Sequence, residues 1–168
     1  ALGVLAVALG LAGCANTLVL DNQVQSFSAL AASPNGARRA LDAGLTSIEY
    51  VVSASDSHSR SNVGRDTAAA TAAIAEIAEV THDAGATVEV IIATAWDCPF
   101  DGPTPPERVL RIVDAAVTAG SDRIAIADTI GTTTPGRVTS LLAQVRPEIG
   151  ALPLGCHFHN TRGAGLAS

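Results

Sequence analysis

Hydrophobic positions along this chain fall into short apolar runs, the third strongly β-branched, separated by longer stretches with helical spacing, several of them Ala-rich. The runs Ser26 to Leu30, Ser47 to Ser53, Thr87 to Thr94, Arg123 to Asp128 and Leu152 to His159 read as strands. Between them, Ala37 to Ala43, Asp66 to Ala84, Glu107 to Ala119 and Thr134 to Val145 read as helices. Their stops are Gly44, Gly85, Gly120 and, for the last, Pro147 with Gly150. Ala54 to Gly64 reads as a polar loop whose length suits a lid or a substrate contact, and Ala95 to Pro106 as a second loop. Arg162 to Leu166 reads as the beginning of another helix. Strand and helix thus alternate at about 30 to 40 residues per unit, the rhythm of βα repeats. The expectation is an α/β chain of about five parallel strands and four complete helices, in a doubly wound sheet or part of a (β/α) barrel. A closed eight-unit barrel takes about 250 residues, more than the 168 present.

Composition sharpens this only in places. Hydrophobic residues make up 48% of the chain and aromatics 3%, an aliphatic interior that suits small-residue helices packed closely on a parallel sheet. A net charge of −6 with no basic run excludes a nucleic-acid footprint. Cys14, Cys98 and Cys156 are odd in number and far apart, which argues against a disulfide framework and for a reducing, cytoplasmic setting. Residues 1–25 remain an unassigned apolar segment. Ala1 to Gly13 followed by Cys14 has the look of a lipoprotein signal with Cys14 as the acylated residue, yet no Lys or Arg precedes the apolar run. The other reading of that stretch is an Ala/Leu-rich core helix, and it is too short for a membrane span. Leu18-Val19-Leu20 adds a short apolar stretch.

In parallel α/β architectures, ligands bind beyond the C-terminal ends of the strands. This chain concentrates its chemistry there: Asp56, His58, Arg60 and Asn62 after the second strand, Asp97 and Cys98 after the third, Asp128 and Thr129 after the fourth, His157 and His159 on the last. Alternation along a strand turns His157 and His159 to one face, where two imidazoles can share a divalent cation. Paired half-buried histidines without a ligand are the alternative. Asp128 can equally cap the following turn. Cys98 reads as a packing residue in its loop, and Cys156, one position off the histidines, as core. Glu49 and Glu89 lie inside strands, facing either the barrel interior or the helix layer.

Asp128-Thr129-Ile130-Gly131 followed by Thr134-Pro135-Gly136, then His157-Phe158-His159-Asn160-Thr161 with Gly163, resembles the hydroxymethylglutaryl-CoA lyase family of the DRE-TIM metallolyases. Cys98-Pro99-Phe100-Asp101-Gly102 and the segment Ser53 to Asn62 resemble that lyase branch too, against the related isopropylmalate and homocitrate synthases. The resemblance covers about residues 27–168, and with Ser26 this makes residues 26–168 a partial TIM barrel, lacking its first two units and its last. It implies His157 and His159 as ligands of Mg²⁺ or Mn²⁺, with His157 also catalytic. It places Asp128 as an acid/base or orienting group and Thr129 near a substrate carboxylate. The implied reaction is retro-Claisen cleavage of a 3-hydroxy-3-methylglutaryl-CoA-like acyl-CoA to acetyl-CoA and acetoacetate. Two further readings stay open: an acetyl-CoA-dependent condensing enzyme acting on 2-oxo acids, and an inactive barrel fragment with a lipoprotein-like start. The family's Arg-Asp strand, catalytic Cys loop and Asn ligand have no counterpart in this sequence, so the chain on its own is expected to be inactive. An unpaired barrel edge makes the fragment prone to association without specifying a dimer; separately, a homodimer is an expectation for the full-length protein.

Overall fold

The computed structural model describes residues 27–168. The lipoprotein-like run, Cys14, the Leu18 to Leu20 stretch and the first residue of the first expected strand lie outside the described residues.

Five strands, β1 (Ser28–Ala31), β2 (Ser47–Ser53), β3 (Thr87–Ala93), β6 (Arg123–Asp128) and β7 (Leu154–Phe158), form one sheet in the order β1-β2-β3-β6-β7, parallel throughout. Helices α1 (Pro34–Asp42), α3 (Thr67–Asp83), α4 (Pro106–Thr118) and α5 (Pro135–Ile149) make the crossovers. Chain order and sheet order run together, as in one arc of a (β/α) barrel. Alternation assigns the two faces. Ile48, Tyr50 and Val52, Val88, Val90 and Ile92, and Ile124 and Ile126 are essentially fully buried under the helices. They meet Ala70, Ile74 and Ile77 of α3, Val109, Ile112 and Val113 of α4, and Val138, Leu141 and Val145 of α5. The phenol of Tyr50, 1% exposed, donates to the Ala70 carbonyl at 2.8 Å, which gives it a polar partner.

The opposite, concave face carries Glu49 beside Glu89, Glu89 beside Arg123, Ala125 beside Gly155 and Ala127 beside His157. Glu49 and Glu89 therefore face the barrel interior. A Cβ on Gly155 would touch both Glu89 and Ala125, so this face is closely stacked at its base. Burial pushes the Glu89 carboxyl up, against the pull of Arg123 and with the help of Glu49.

Several expectations need correction. The segment read as a polar loop contains helix α2 (Asp56–Val63). Its residues are polar all round, so no apolar period announces it; Ser55 caps it by accepting from His58 N, and Gly64 ends it at φ 72°. The loop after β3 folds into a small antiparallel hairpin of β4 (Asp97–Cys98) and β5 (Gly102–Pro103). Pro147 does not end α5, which runs to Ile149: the proline forfeits an N–H bond to the Ala143 carbonyl, and buried Ile149 holds the last turn down. Arg162 to Leu166 forms turns rather than helix, with Gly163 N donating to the Asn160 carbonyl and Gly165 N to Asn160 Oδ1. Cys156 is exposed and not core, because β7 ends the sheet and no described helix follows to cover its outer face.

Candidate active site

Parallel strands deliver their C-terminal ends to one rim, and the crossover loops build the site there. At the end of β7, the rings of His157 and of His159, just past the strand, stand 5.0 Å apart between centroids, edge to face at 68°. They project together, as their spacing requires. Burial lowers the His157 pKa, and the neighbouring His159 lowers it further against a smaller pull from Glu49. Near neutral pH His157 is therefore an uncharged imidazole with a free lone pair, the form that ligates metal.

Next to this strand, the loop after β6 is drawn tight by Asp128. Its carboxylate is 3% exposed and accepts from Thr132 N at 3.1 Å and Thr133 N at 3.0 Å. Its carbonyl accepts from His159 N at 3.3 Å. Asp128 stands level with Phe158, and Ala127 with His157, so the Asp128 side chain leaves the sheet on the face opposite His157. The structure thus brings the two histidines together and ties the Asp128 backbone to them, while the carboxylate serves its own loop. The same loop reaches β7 at Gly131, in the left-handed region at φ 67°, whose backbone lies against the His159 carbonyl and the Thr161 side chain.

Thr129 Oγ1 accepts from Thr94 N at 2.7 Å, which leaves its own proton free to donate. Thr94 is fully buried and is the one described non-glycine residue with positive φ, 53°. A β-branched residue there stores about 1–2 kcal/mol of strain, and the bonds to Thr129 and from Thr104 Oγ1 to the Thr94 carbonyl (2.7 Å) hold it. No sequence signal marks Thr94.

The remaining rim residues act as fasteners. Asp97 accepts a forked pair of bonds from Arg137 (2.7 and 3.1 Å) and one from Thr132 Oγ1 (2.6 Å). Arg137 also donates to the Trp96 carbonyl, and Trp96 Nε1 returns a bond to the Arg137 carbonyl. Arg137 holds the Asp97 carboxyl below its ordinary value of 3.8. A carboxyl lowered by folding stabilises fully above that value and loses its contribution as pH falls through the folded pKa. The stability gap between wild type and Asp97→Asn is therefore expected to be constant near neutrality and to close below about pH 3.8; denaturant titrations across pH 2–6 check it, and a gap that widens in acid would contradict the clamp.

Asp101 accepts from Ser55 Oγ and Ser57 Oγ, both at 2.6 Å, and so latches the Cys98–Gly102 hairpin to α2. Cys98 is buried as a packing residue, with Sγ 2.9 Å from Ser55 Oγ. His58 Nδ1 lies 2.7 Å from Ser53 Oγ, Asp56 accepts from Thr67 N, and Arg60 pairs with Asp66. Asp56, His58 and Arg60 thus fix α2 and the start of α3 in place.

The HMGL-like family profile matches residues 17–168. The chain belongs to this family. Among curated relatives, the (R)-citramalyl-CoA lyase of Chloroflexus aurantiacus is 36% identical over 147 residues, 88% of this chain and 46% of that one. A hydroxymethylglutaryl-CoA lyase of Bacillus subtilis is 28% identical, over 85% and 48%. The crystal structure of the Bacillus subtilis HMG-CoA lyase superposes with a TM-score of 0.82 at 27% identity, covering 88% of this chain and 49% of that one. An HMG-CoA lyase from Acinetobacter baumannii, solved with coenzyme A and 3-methylmalate, superposes at 0.81 and 30% identity, over 89% and 48%. This family member therefore spans about half the length of the relatives it matches, and its sheet is the corresponding part of their TIM barrel. No helix among the described residues is long and apolar enough to cross a membrane.

Proposed function

We propose that this chain supplies part of the catalytic rim of an acyl-CoA carbon–carbon lyase, and that His157 and His159 hold a divalent cation, Mg²⁺ or Mn²⁺. The observation that carries the reading is the imidazole pair at the end of β7, adjoining the loop that presents Thr129. The donor set fits such an ion in part: two neighbouring imidazoles offer two positions, and no third His, Cys, Asp or Glu joins them among the described residues. Further ligands therefore belong to the rest of the barrel, so the chain alone binds metal weakly and does not turn over.

When bound, the ion supplies Lewis acidity that makes a coordinated tertiary hydroxyl easier to deprotonate. His157, exposed where His159 is half-buried, is the imidazole that meets substrate. Thr129, its hydroxyl oxygen already occupied by Thr94 N, turns its proton to the substrate carboxylate. Asp128 takes the orienting role, because both of its oxygens are held by loop amides. The hydroxyl loses its proton, the bond from the carbinol carbon to the thioester α-carbon breaks, and the carbinol becomes a ketone. The electron pair passes to the thioester as its enolate, which takes a proton to give acetyl-CoA. A 3-hydroxy-3-methylglutaryl thioester would yield acetoacetate, and a citramalyl thioester pyruvate.

Incubating the whole protein with each thioester and Mn²⁺ tests this. Release of acetyl-CoA with either keto acid is the expected result. Failure to cleave both, together with condensation of acetyl-CoA and a 2-oxo acid, would overturn it in favour of a synthase. The family membership and the likeness to lyases support action on an acyl-CoA.

A further inference from the structure

Resting on the lyase reading, we infer that Arg162 selects the substrate, by gripping the free carboxylate of a hydroxy-dicarboxylic acid carried as its CoA thioester. Of the other rim arginines, Arg60 pairs with Asp66, Arg137 is forked onto Asp97, and Arg108 lies by the carboxylates of Asp56 and Asp101. Arg162 is exposed and makes no ion pair among the described residues.

Its backbone position is nevertheless fixed. Arg162 sits three residues beyond His159, at the tip of a turn clasped on one side by Asn160, whose Oδ1 accepts from Gly165 N at 2.9 Å and whose carbonyl accepts from Gly163 N at 3.1 Å. On the other side, Thr161 lies against Gly131 of the loop that carries Thr129. The turn and the imidazole pair therefore adjoin the loop that carries Thr129. Arg162 lies close enough to Asp97 for its charge to act on that carboxylate. A guanidinium there has the planar fork that matches a carboxylate, and Thr129 can add a hydroxyl proton from the adjoining loop. With the thioester end directed elsewhere, the group left to meet this fork is the acid's second carboxylate. Its distance from the carbinol carbon separates a four-carbon from a five-carbon diacid backbone, and an arginine carried on a clasped turn reads that distance better than one on a loose loop.

The test uses the whole protein with Mn²⁺ and compares wild type, Arg162→Met and Arg162→Lys. Each is assayed on the citramalyl and 3-hydroxy-3-methylglutaryl thioesters, on their methyl esters at the free carboxylate, and on the matching pantetheine thioesters, which lack the nucleotide phosphates. Arg162→Met should lose roughly 10- to 100-fold in kcat/KM on the better diacid, the scale of a charged hydrogen bond, with no loss on its methyl ester. Arg162→Lys should recover part of that loss, and the penalty should persist on pantetheine thioesters. An equal loss on acid and ester, or a penalty that vanishes without the nucleotide, overturns the inference and leaves the lyase intact. Wild-type protein that cleaves none of the thioesters overturns the lyase reading itself. Unchanged thermal melting of the variants excludes misfolding as the cause.

Discussion

Replacing His157 and His159 together with alanine is expected to abolish Mn²⁺ binding by the whole protein and to lower kcat/KM by on the order of 10³-fold. A bound ion contributes several kcal/mol of transition-state stabilisation, and each 1.36 kcal/mol is about tenfold in rate. The fold should survive, because His157 is exposed and neither ring belongs to the buried core. Titrating Mn²⁺ while following the free ion by electron paramagnetic resonance reports binding apart from turnover. Retained metal affinity in the double variant would remove the pair from the site and return it to the alternative of two half-buried histidines without a ligand. The two rings differ in setting, so the single variants should differ as well: His157→Ala removes the ring that faces substrate, and His159→Ala the half-buried one.

Gly131→Ala is expected to destabilise the fold by about 2–4 kcal/mol and to lower Tm by on the order of 10 °C. The added Cβ would press into the His159 carbonyl and come within 2.7 Å of Thr161 Oγ1, at a φ of 67° that side chains rarely adopt. Both neighbours belong to the strand end and turn that carry the imidazoles and Arg162, so backbone must move on one side or the other. Loss of activity at temperatures well below the new Tm should therefore accompany the loss of stability. A variant with wild-type kcat/KM and only a lower Tm would show that the two loops tolerate sliding past one another. Gly136, whose added Cβ meets nothing within 4 Å, is the control that should cost little beyond its place in α5.

The central strands were legible because they carry Val and Ile: Ser47–Ser53 and Arg123–Asp128 have the bounds their patterns predict. The long helices were legible from Ala-rich stretches ending at glycine. Helix α2 was not, since its sequence DSHSRSNV offers no apolar stripe and its stability comes from caps and from the Asp101 latch, a contact 44 residues away in the chain. The His-x-His pair could be placed because strand alternation is local. The side-chain direction of Asp128 could not, because it depends on where the Thr132 and Thr133 amides come to lie. Arg162, Thr94 and the Asp97–Arg137 clamp went unweighted for the same reason. A charge, a twisted residue and an ion pair acquire meaning only once distant loops converge.

The backbone at Thr94 has a consequence for how this protein could be improved. Its left-handed conformation keeps the native state below its stability optimum, and a glycine at that position would relax it at small steric cost. The same relaxation would loosen the amide that orients the Thr129 hydroxyl. Selection for heat tolerance and selection for turnover should thus diverge at one residue, the first drifting to glycine and the second retaining threonine.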